Sequence, residues 1–401
     1  MRVLILTIGT RGDIEPYVGL AQALIKDSIP VTLVTNDIHK KRVQSQKIDF
    51  FSIDNDNSED KNDSVAKLLE NQGLSAVKKG ISLMFDGMEK AHYKINKIVP
   101  DYDVVIGHGW FGELEADLHN KKFIRAGLNP SLARLTQNKL SNSLKNLIGA
   151  IFLKQLIFKP YNEFRTQFGG ASISMDNFYA KPFLLPIPTL LTPVHDFEAS
   201  VFQSDYWFPD YDSPILSEEL DAFLHRNTKK LLVSFGSITW ANNNLSSIAM
   251  QFVNAGRRFG FDTIWVGTEI KSPEIDRAAN EGCFIQMEEY PFHFLLPKVD
   301  LIAHHCGLGT TCSTLRAGVP TIPVPHLVDQ FDWAKRLYQM GIASKPIHIK
   351  NLNERAIINR LESALKKELY SEELLEIKKK MEKQVQKESV VNRIREIYKE
   401  N

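Results

Sequence analysis

At 401 residues the chain exceeds what one hydrophobic core ordinarily serves, so two domains are expected. Hydrophobic residues make up 43% and charged residues 24%, the balance of an ordinary globular protein, and a formal net charge of +1 offers no basic field for nucleic acid. Three cysteines, Cys283, Cys306 and Cys312, are an odd count that suits a reducing, cytoplasmic compartment better than a disulfide framework.

In chain order, Val3 to Ile8 follows the single basic residue Arg2. The run is too short for a signal peptide and ends in Gly-Thr-Arg-Gly-Asp, so a buried strand is expected. Ile14 to Lys26 carries Val18, Ala21, Leu24 and Ile25 at helical spacing. Val31 to Thr35 and Asp103 to Gly107 are the next predicted strands, and such alternation implies βαβ units on a parallel sheet. Asn55 to Asp63, acidic and Asn-rich, is expected to be a solvated loop. Leu140 to Tyr161 is apolar but dotted with Lys145, Lys154 and Lys159, as in an amphipathic helix or helix pair. The turn formers of Ser204 to Pro214 mark the expected interdomain linker.

A second alternation follows. Strands are expected at Lys230–Phe235, Thr263–Val266, Phe284–Met287, Leu301–His304 and Thr321–Val324, with a helix at Asn244–Phe259. Glu354 to Asn401 is strongly charged and free of Pro and Gly, hence helical. No stretch is long and apolar enough to span a bilayer. The expected architecture is two open α/β domains, whose ligands belong at the carboxyl ends of the strands, in a cleft between them.

The most informative segment is His304 to Trp333. Gly307 and Gly309 let the backbone approach a ligand. A helix opening at Thr310 and Thr311 would aim free N–H groups and the positive dipole end at an anion such as a diphosphate. His305 stands at the mouth as a further donor. A Gly-rich turn with a Thr cap explains the same residues more blandly, but not Asp329-Gln330 a helix later. Cys306 and Cys312 beside His304 and His305 lack the paired spacings of a zinc site. Two shorter motifs complete the set. Val233-Ser234-Phe235-Gly236-Ser237 delivers Gly236 and Ser237 to a strand end. Gly9 to Pro16 carries Asp13, which is either the helix N-cap, with Pro16 in the first turn, or a general base. His108, at the end of its own strand, competes as base or acceptor contact. Asp332 follows Asp329 by three residues and shares its helix face or merely starts the helix.

This constellation resembles the UDP-glycosyltransferase superfamily, in the branch of bacterial antibiotic glycosyltransferases, sterol glucosyltransferases and the rhamnolipid rhamnosyltransferase. The resemblance is clearest over residues 1–37, 230–237 and 284–342. It implies a GT-B fold of two facing Rossmann-like domains: an acceptor-binding domain over 1–205 and a nucleotide-sugar domain over 215–384, with the last helix, about 385–401, packing back on the first. It implies inverting, metal-independent transfer of a hexose from UDP- or dTDP-sugar, without a cofactor, to a hydroxyl of an apolar acceptor. It assigns donor phosphate contacts to Gly236, Ser237, His305, Gly307, Gly309, Thr310 and Thr311, with Gly12 also lining the donor, and sugar hydroxyl recognition to Asp329 and Gln330. Relatives with this Gly-Thr-Arg-Gly-Asp turn use its Asp as base, so Asp13 inherits the role. The pattern departs before Pro291, where Glu289 and Tyr290 stand, and after it, at Phe292. That leaves uracil against thymine open, with Tyr290 or Phe292 as packing partners for the base. A UDP-sugar epimerase of the same fold and an inactive partner protein are the alternatives. The loops 54–88, 110–115 and 129–179 are rich in Leu, Ile and Phe and suit an apolar acceptor. The lysines of Leu140–Tyr161 admit weak peripheral contact with an anionic membrane.

Overall fold

The computed structural model describes residues 1–54, 74–130, 157–192, 197–212, 214–236, 244–326, 328–366, 372–383 and 387–400. Asn55–Asp63, Ser237 and all of Leu140–Tyr161 before residue 157 therefore lie outside the described residues. The chain divides into two compact units: Met1–Asp210 with Gln386–Asn401, and Tyr211–Val385.

The first unit is built on seven strands, β1 Val3–Leu6, β2 Val31–Thr35, β3 Asp49–Ser52, β4 Val104–His108, β5 Lys122–Ala126, β6 Phe183–Pro186 and β7 Val201–Ser204. They lie in the order β3-β2-β1-β4-β5-β6-β7, and every pairing is parallel. Successive strand side chains point to opposite faces. In β1, Val3 and Ile5 join the core beneath the helix Arg11–Lys26. Leu4 and Leu6 join the opposite core with Phe85, Ile95 and Phe111. All four are wholly buried, at about 1.5–3 kcal/mol of hydrophobic stabilisation each. This is why the strand is continuously apolar and not alternating.

The helix Arg11–Lys26 starts three residues earlier than its apolar spacing suggests. Thr10 is the N-cap and Asp13 is N3 of a capping box, so Asp13 is not the cap residue itself. Pro16 consequently lies past the first turn, inside the helix, where it has no N–H to offer the Gly12 carbonyl. Further along this helix, Gly19 lets the chain cross closely, since a Cβ there would stand 2.2 Å from the Trp207 carbonyl oxygen. Tyr206 and Trp207 are buried in this unit, and the Trp207 indole donates to Ser204 Oγ at 2.9 Å. The first half of Ser204–Pro214 is thus anchored and not free linker. The charged tail forms three helices, Glu354–Lys366, Glu372–Lys383 and Lys387–Lys399. The last buries Val390, Val391, Ile394 and Ile397 in the first unit's core.

The second unit carries β8 Lys229–Ser234, β9 Phe261–Val266, β10 Phe284–Met287, β11 Leu301–His304 and β12 Thr321–Pro323. Their order is β10-β9-β8-β11-β12, again all parallel. Leu231 and Val233 face one core with Phe252 and Trp265. Leu232 faces the other with Ile264 and Leu296.

Candidate functional site

Each sheet has one place where strand order reverses. In the first unit β2 and β3 lie to one side of β1 and the later strands to the other, so the reversal falls between β1 and β4. Crevices at such points, beyond the carboxyl ends of the strands, are where open α/β sheets bind ligands. The chain turns after β1 by placing Gly9 at φ +134°. A Cβ there would meet Asp13 Oδ2 at 2.4 Å, so only glycine lets the carboxylate tuck back. Asp13 Oδ2 accepts from the Thr10 amide at 2.8 Å and the Thr10 hydroxyl at 3.0 Å. Its Oδ1 makes no hydrogen bond to the described residues. Gly12 is not demanded by packing, because a Cβ there would meet only Thr10 Oγ1, at 3.7 Å.

His108 ends β4 on the other side of the reversal. Thr7 Oγ1 donates to the Asp13 carbonyl at 3.1 Å and lies a long 3.4 Å from His108 Nδ1. With the Thr7 proton committed to a carbonyl, the contact favours Nδ1–H on the imidazole and leaves Nε2 as the acceptor nitrogen. Burial lowers the His108 pKa, and the Asp13 carboxylate opposes that. Tyr17 backs the ring at 5.4 Å between centroids. A residue the sequence did not single out completes the group. His39 Nε2 donates to the Gly9 carbonyl at 3.1 Å and so holds the turn that shapes Asp13. Its signal was positional: it follows the end of β2, at the same ligand-binding edge. Burial lowers its pKa, opposed chiefly by the Gly9 hydrogen bond.

In the second unit the reversal falls between β8 and β11. The loops leaving these strands meet around one imidazole. Gly236 adopts φ +73°, and a Cβ on it would stand 2.7 Å from His305 Cε1. A Cβ on Gly307 would stand 2.5 Å from His305 Nε2. Two glycines far apart in sequence are therefore required by the same ring. Cys306 is left-handed, at φ +64°, and its amide donates to His304 Nδ1 at 3.1 Å. Such strained backbone costs about 1–3 kcal/mol and clusters at ligand sites.

The next helix is Leu308–Ala317, with Gly307 as N-cap, two residues before the expected opening at Thr310 and Thr311. The cause is the extended Gly307 (φ −60°, ψ 145°), which begins the helix at once. The free N-terminal amides are then those of Leu308, Gly309 and Thr310. Thr311 instead donates to the Gly307 carbonyl at 2.9 Å, and its buried hydroxyl has no partner among the described residues. His305 is half-buried and its Nδ1 has no partner among the described residues. Desolvation pushes its pKa down to about 4, with the Ser234 carbonyl opposing. His304 is fully buried and pushed down to about 3 by desolvation and by His305.

Gln330 is buried, and its Oε1 accepts from the His326 amide at 2.8 Å. That amide oxygen therefore braces the loop after β12. Asp329 is half-buried in the first turn of Val328–Gln339, and Asp332 is exposed. Tyr290 and Phe292 follow β10, two strands from β8 along the same edge, and pack against the core of Leu295 and Leu296. The Tyr290 hydroxyl is buried without a partner among the described residues, and desolvation raises its pKa. The structure thus gathers Gly236, His305, Gly307 and the helix N-terminus in one cradle, and Asp13, His108 and His39 in another. Among the described residues no three His, Cys, Asp or Glu side chains form a metal-holding group. No helix among them is long and apolar enough to cross a membrane.

Residues 3–116 match the glycosyltransferase family 28 N-terminal domain. Residues 284–397 match the erythromycin biosynthesis protein CIII-like C-terminal domain. The chain is 27% identical to a sterol 3-beta-glucosyltransferase of Debaryomyces hansenii, over 99% of this chain and 26% of that protein. It therefore spans about a quarter of that relative, and 29–34% of four further yeast proteins of the same name. It is also 24% identical to the O-mycaminosyltylonolide 6-deoxyallosyltransferase of Streptomyces fradiae, over 91% of this chain and 90% of that one. Among solved structures, the glycosyltransferase VinC in complex with DTDP superposes with a TM-score of 0.70 at 16% identity, covering 99% of both chains. The glycosyltransferase SnogD from Streptomyces nogalater superposes at 0.66 and 18% identity, also covering 99% of both. The parallel sheets, their reversal points and these matches agree: the chain carries a glycosyltransferase family 28 N-terminal domain match at one end and an erythromycin CIII-like C-terminal domain match at the other, on a fold similar to that of GT-B glycosyltransferases.

Proposed function

We propose that this chain transfers a hexose from a UDP- or dTDP-sugar to a hydroxyl of an apolar acceptor, with inversion at the anomeric carbon and without a metal or cofactor. The observation that carries the reading is the His305 cradle, where two glycines and a helix N-terminus border an imidazole whose Nδ1 has no partner among the described residues. A nucleoside diphosphate is the leaving group such a cradle suits, because N–H donors meet the charge that grows on it. In the reaction the acceptor oxygen attacks the anomeric carbon. The bond from that carbon to the diphosphate breaks, and the acceptor proton passes to Asp13. The carboxylate is oriented by its two bonds from Thr10, which leave Oδ1 for the proton. Ser237 adds a hydroxyl to the diphosphate, and Asp329 and Gln330 recognise the sugar hydroxyls. Relatives named for a sterol and for a tylonolide derivative support an apolar acceptor. The reaction is set in the cytoplasm, where nucleotide sugars are at hand.

The test is incubation with UDP- and dTDP-hexoses and a panel of sterols, polyketides, flavonoids and hydroxy-fatty acids. Nucleoside diphosphate release and the mass of a glycoside are the readouts. Glycoside formation that survives chelator supports the reading. A donor converted to its epimer, or bound without transfer to any acceptor, refutes it.

A further inference from the structure

We propose that His326 is a second imidazole ligand for the donor's diphosphate, acting beside His305; the proposal rests on the donor-site reading above. His326 follows β12, the strand next to β11, and so emerges at the same edge of the sheet. Its ring lies 6.3 Å from the His305 ring and 5.2 Å from the Phe235 ring, centroid to centroid. Phe235 is the residue before Gly236, so the His326 ring borders both loops that build the cradle.

The nitrogen chemistry separates this from ordinary packing. A buried histidine in a core ordinarily gives each ring nitrogen a partner, because an unpaired buried donor costs about 1–3 kcal/mol. Here His326 Nε2 is buried with no partner among the described residues, and so is His305 Nδ1. Two neighbouring imidazoles with unsatisfied nitrogens are what an anion with several oxygens would complete. N–H···O bonds of about 2.9 Å from rings at this separation reach oxygens of one diphosphate.

The position is also preset. The His326 amide is tied to the buried Gln330 Oε1 at 2.8 Å, which fixes the main chain from which the ring projects. Besides burial, the charges that act on His326 are those of His305 and His348, and both lower its pKa.

The experiment is calorimetric titration of UDP, dTDP and uridine into the wild type, His326→Leu, His326→Gln and His305→Ala. Leucine fills the volume without a donor, and the glutamine amide can replace the Nε2–H. His326→Leu should weaken UDP and dTDP by roughly 10- to 100-fold, the range of one hydrogen bond to a charged group, and leave uridine unchanged. His326→Gln should stay within about threefold of wild type, a residual well below one hydrogen bond. UDP affinity unchanged in His326→Leu but reduced in His305→Ala overturns the role of His326 and leaves the donor site standing. Equal losses for UDP and uridine, or equal losses in Leu and Gln, also overturn it, since they report a structural role. Failure of the wild type to bind UDP or dTDP overturns the donor reading itself.

Discussion

Alanine at Gly236 and at Gly307 would separate two ways of damaging one site. At Gly236 the added Cβ would stand 2.7 Å from His305 Cε1, and the residue is at φ +73°. At Gly307 it would stand 2.5 Å from His305 Nε2, but the backbone there is ordinary, at φ −60°. Neither contact is tolerable, so in both variants the imidazole must swing away. Removing one hydrogen bond to a charged phosphate costs about 1.5–3 kcal/mol, or roughly 10- to 150-fold in Kd. Only Gly236→Ala adds left-handed strain, about 1–2 kcal/mol, which in a unit of this size lowers Tm by roughly 2–8 °C. For Gly307→Ala a poorer N-cap and a stiffer unfolded chain offset to within ~1 kcal/mol. The measurements are UDP titration calorimetry and thermal unfolding of both variants. The expected pattern is similar loss of donor affinity with a Tm drop in Gly236→Ala alone. Wild-type UDP affinity in both variants would refute the claim that this ring meets the donor.

Three further outcomes are expected. Asp13→Asn keeps an acceptor for Thr10 and hence the helix start, so turnover should fall about 10²- to 10⁴-fold with donor affinity unchanged; turnover near wild type in a glycoside assay would remove Asp13 as base and turn attention to His108. His305→Ala should weaken UDP or dTDP by about 1.5–3 kcal/mol, and chelator should not change the wild-type rate; activity lost to chelator and restored by magnesium contradicts the metal-free mechanism. Burial raises the Asp205 pKa to about 6, so its folded state holds the proton more tightly than the unfolded chain. The associated stability is fully present below about pH 4, the unfolded pKa, and is lost as pH rises through about 6. Asp205→Asn should therefore be more stable than wild type at pH 7 and equal to it near pH 4 in urea unfolding; a gap that does not close on acidification contradicts this.

Apolar runs with clean flanks were legible to the residue. Val31–Thr35, Phe284–Met287 and Leu301–His304 coincide with β2, β10 and β11, because a strand buried on both faces is simply a short apolar run. β5 and β6 escaped for opposite reasons. β5 contains Lys122 and Arg125, and arginine ordinarily marks a surface. Arg125 is buried, stacked over the Phe178 ring and donating to the Phe178 carbonyl. β6 ends at Pro186, a residue that argues against a strand. The buried polar network around Glu113 was invisible because its partners are distant in sequence. Tyr161 donates to Glu113 Oε2 at 2.8 Å, Lys181 lies 3.0 Å from Oε1, and Arg165 pairs with Asp117 at 2.8 Å. At the candidate sites Gly307 and Gly309 were read as letting the backbone approach a ligand, and Gly236 as a strand-end contact to the donor. What the sequence could not carry was that Gly236 and Gly307 serve the same imidazole, or that Gly9 is shaped by the Asp13 carboxylate. These are close approaches between atoms that only the topology brings together.

That topology uses one device twice with different chemistry. Both sheets are wholly parallel, and both put their candidate groups where strand order reverses, at β1 and β4 in one and β8 and β11 in the other. In the first unit the loop after β1 ends in a carboxylate, oriented by a capping box that is itself part of the helix start. In the second the loops after β8 and β11 end in glycines, an imidazole and free helix amides. The division has a chemical logic. A base must keep a lone pair for a proton, and an anion cradle must keep its N–H donors unpaired. A carboxylate next to His305 would take those donors for itself, and an imidazolium next to Asp13 would make it a poorer base. On the proposed reading, a proton acceptor in the first unit and anion donors in the second can each remain unsatisfied within its own fold. The nitrogens of His305 and His326 that lack a partner among the described residues are the visible cost of that arrangement in the second unit.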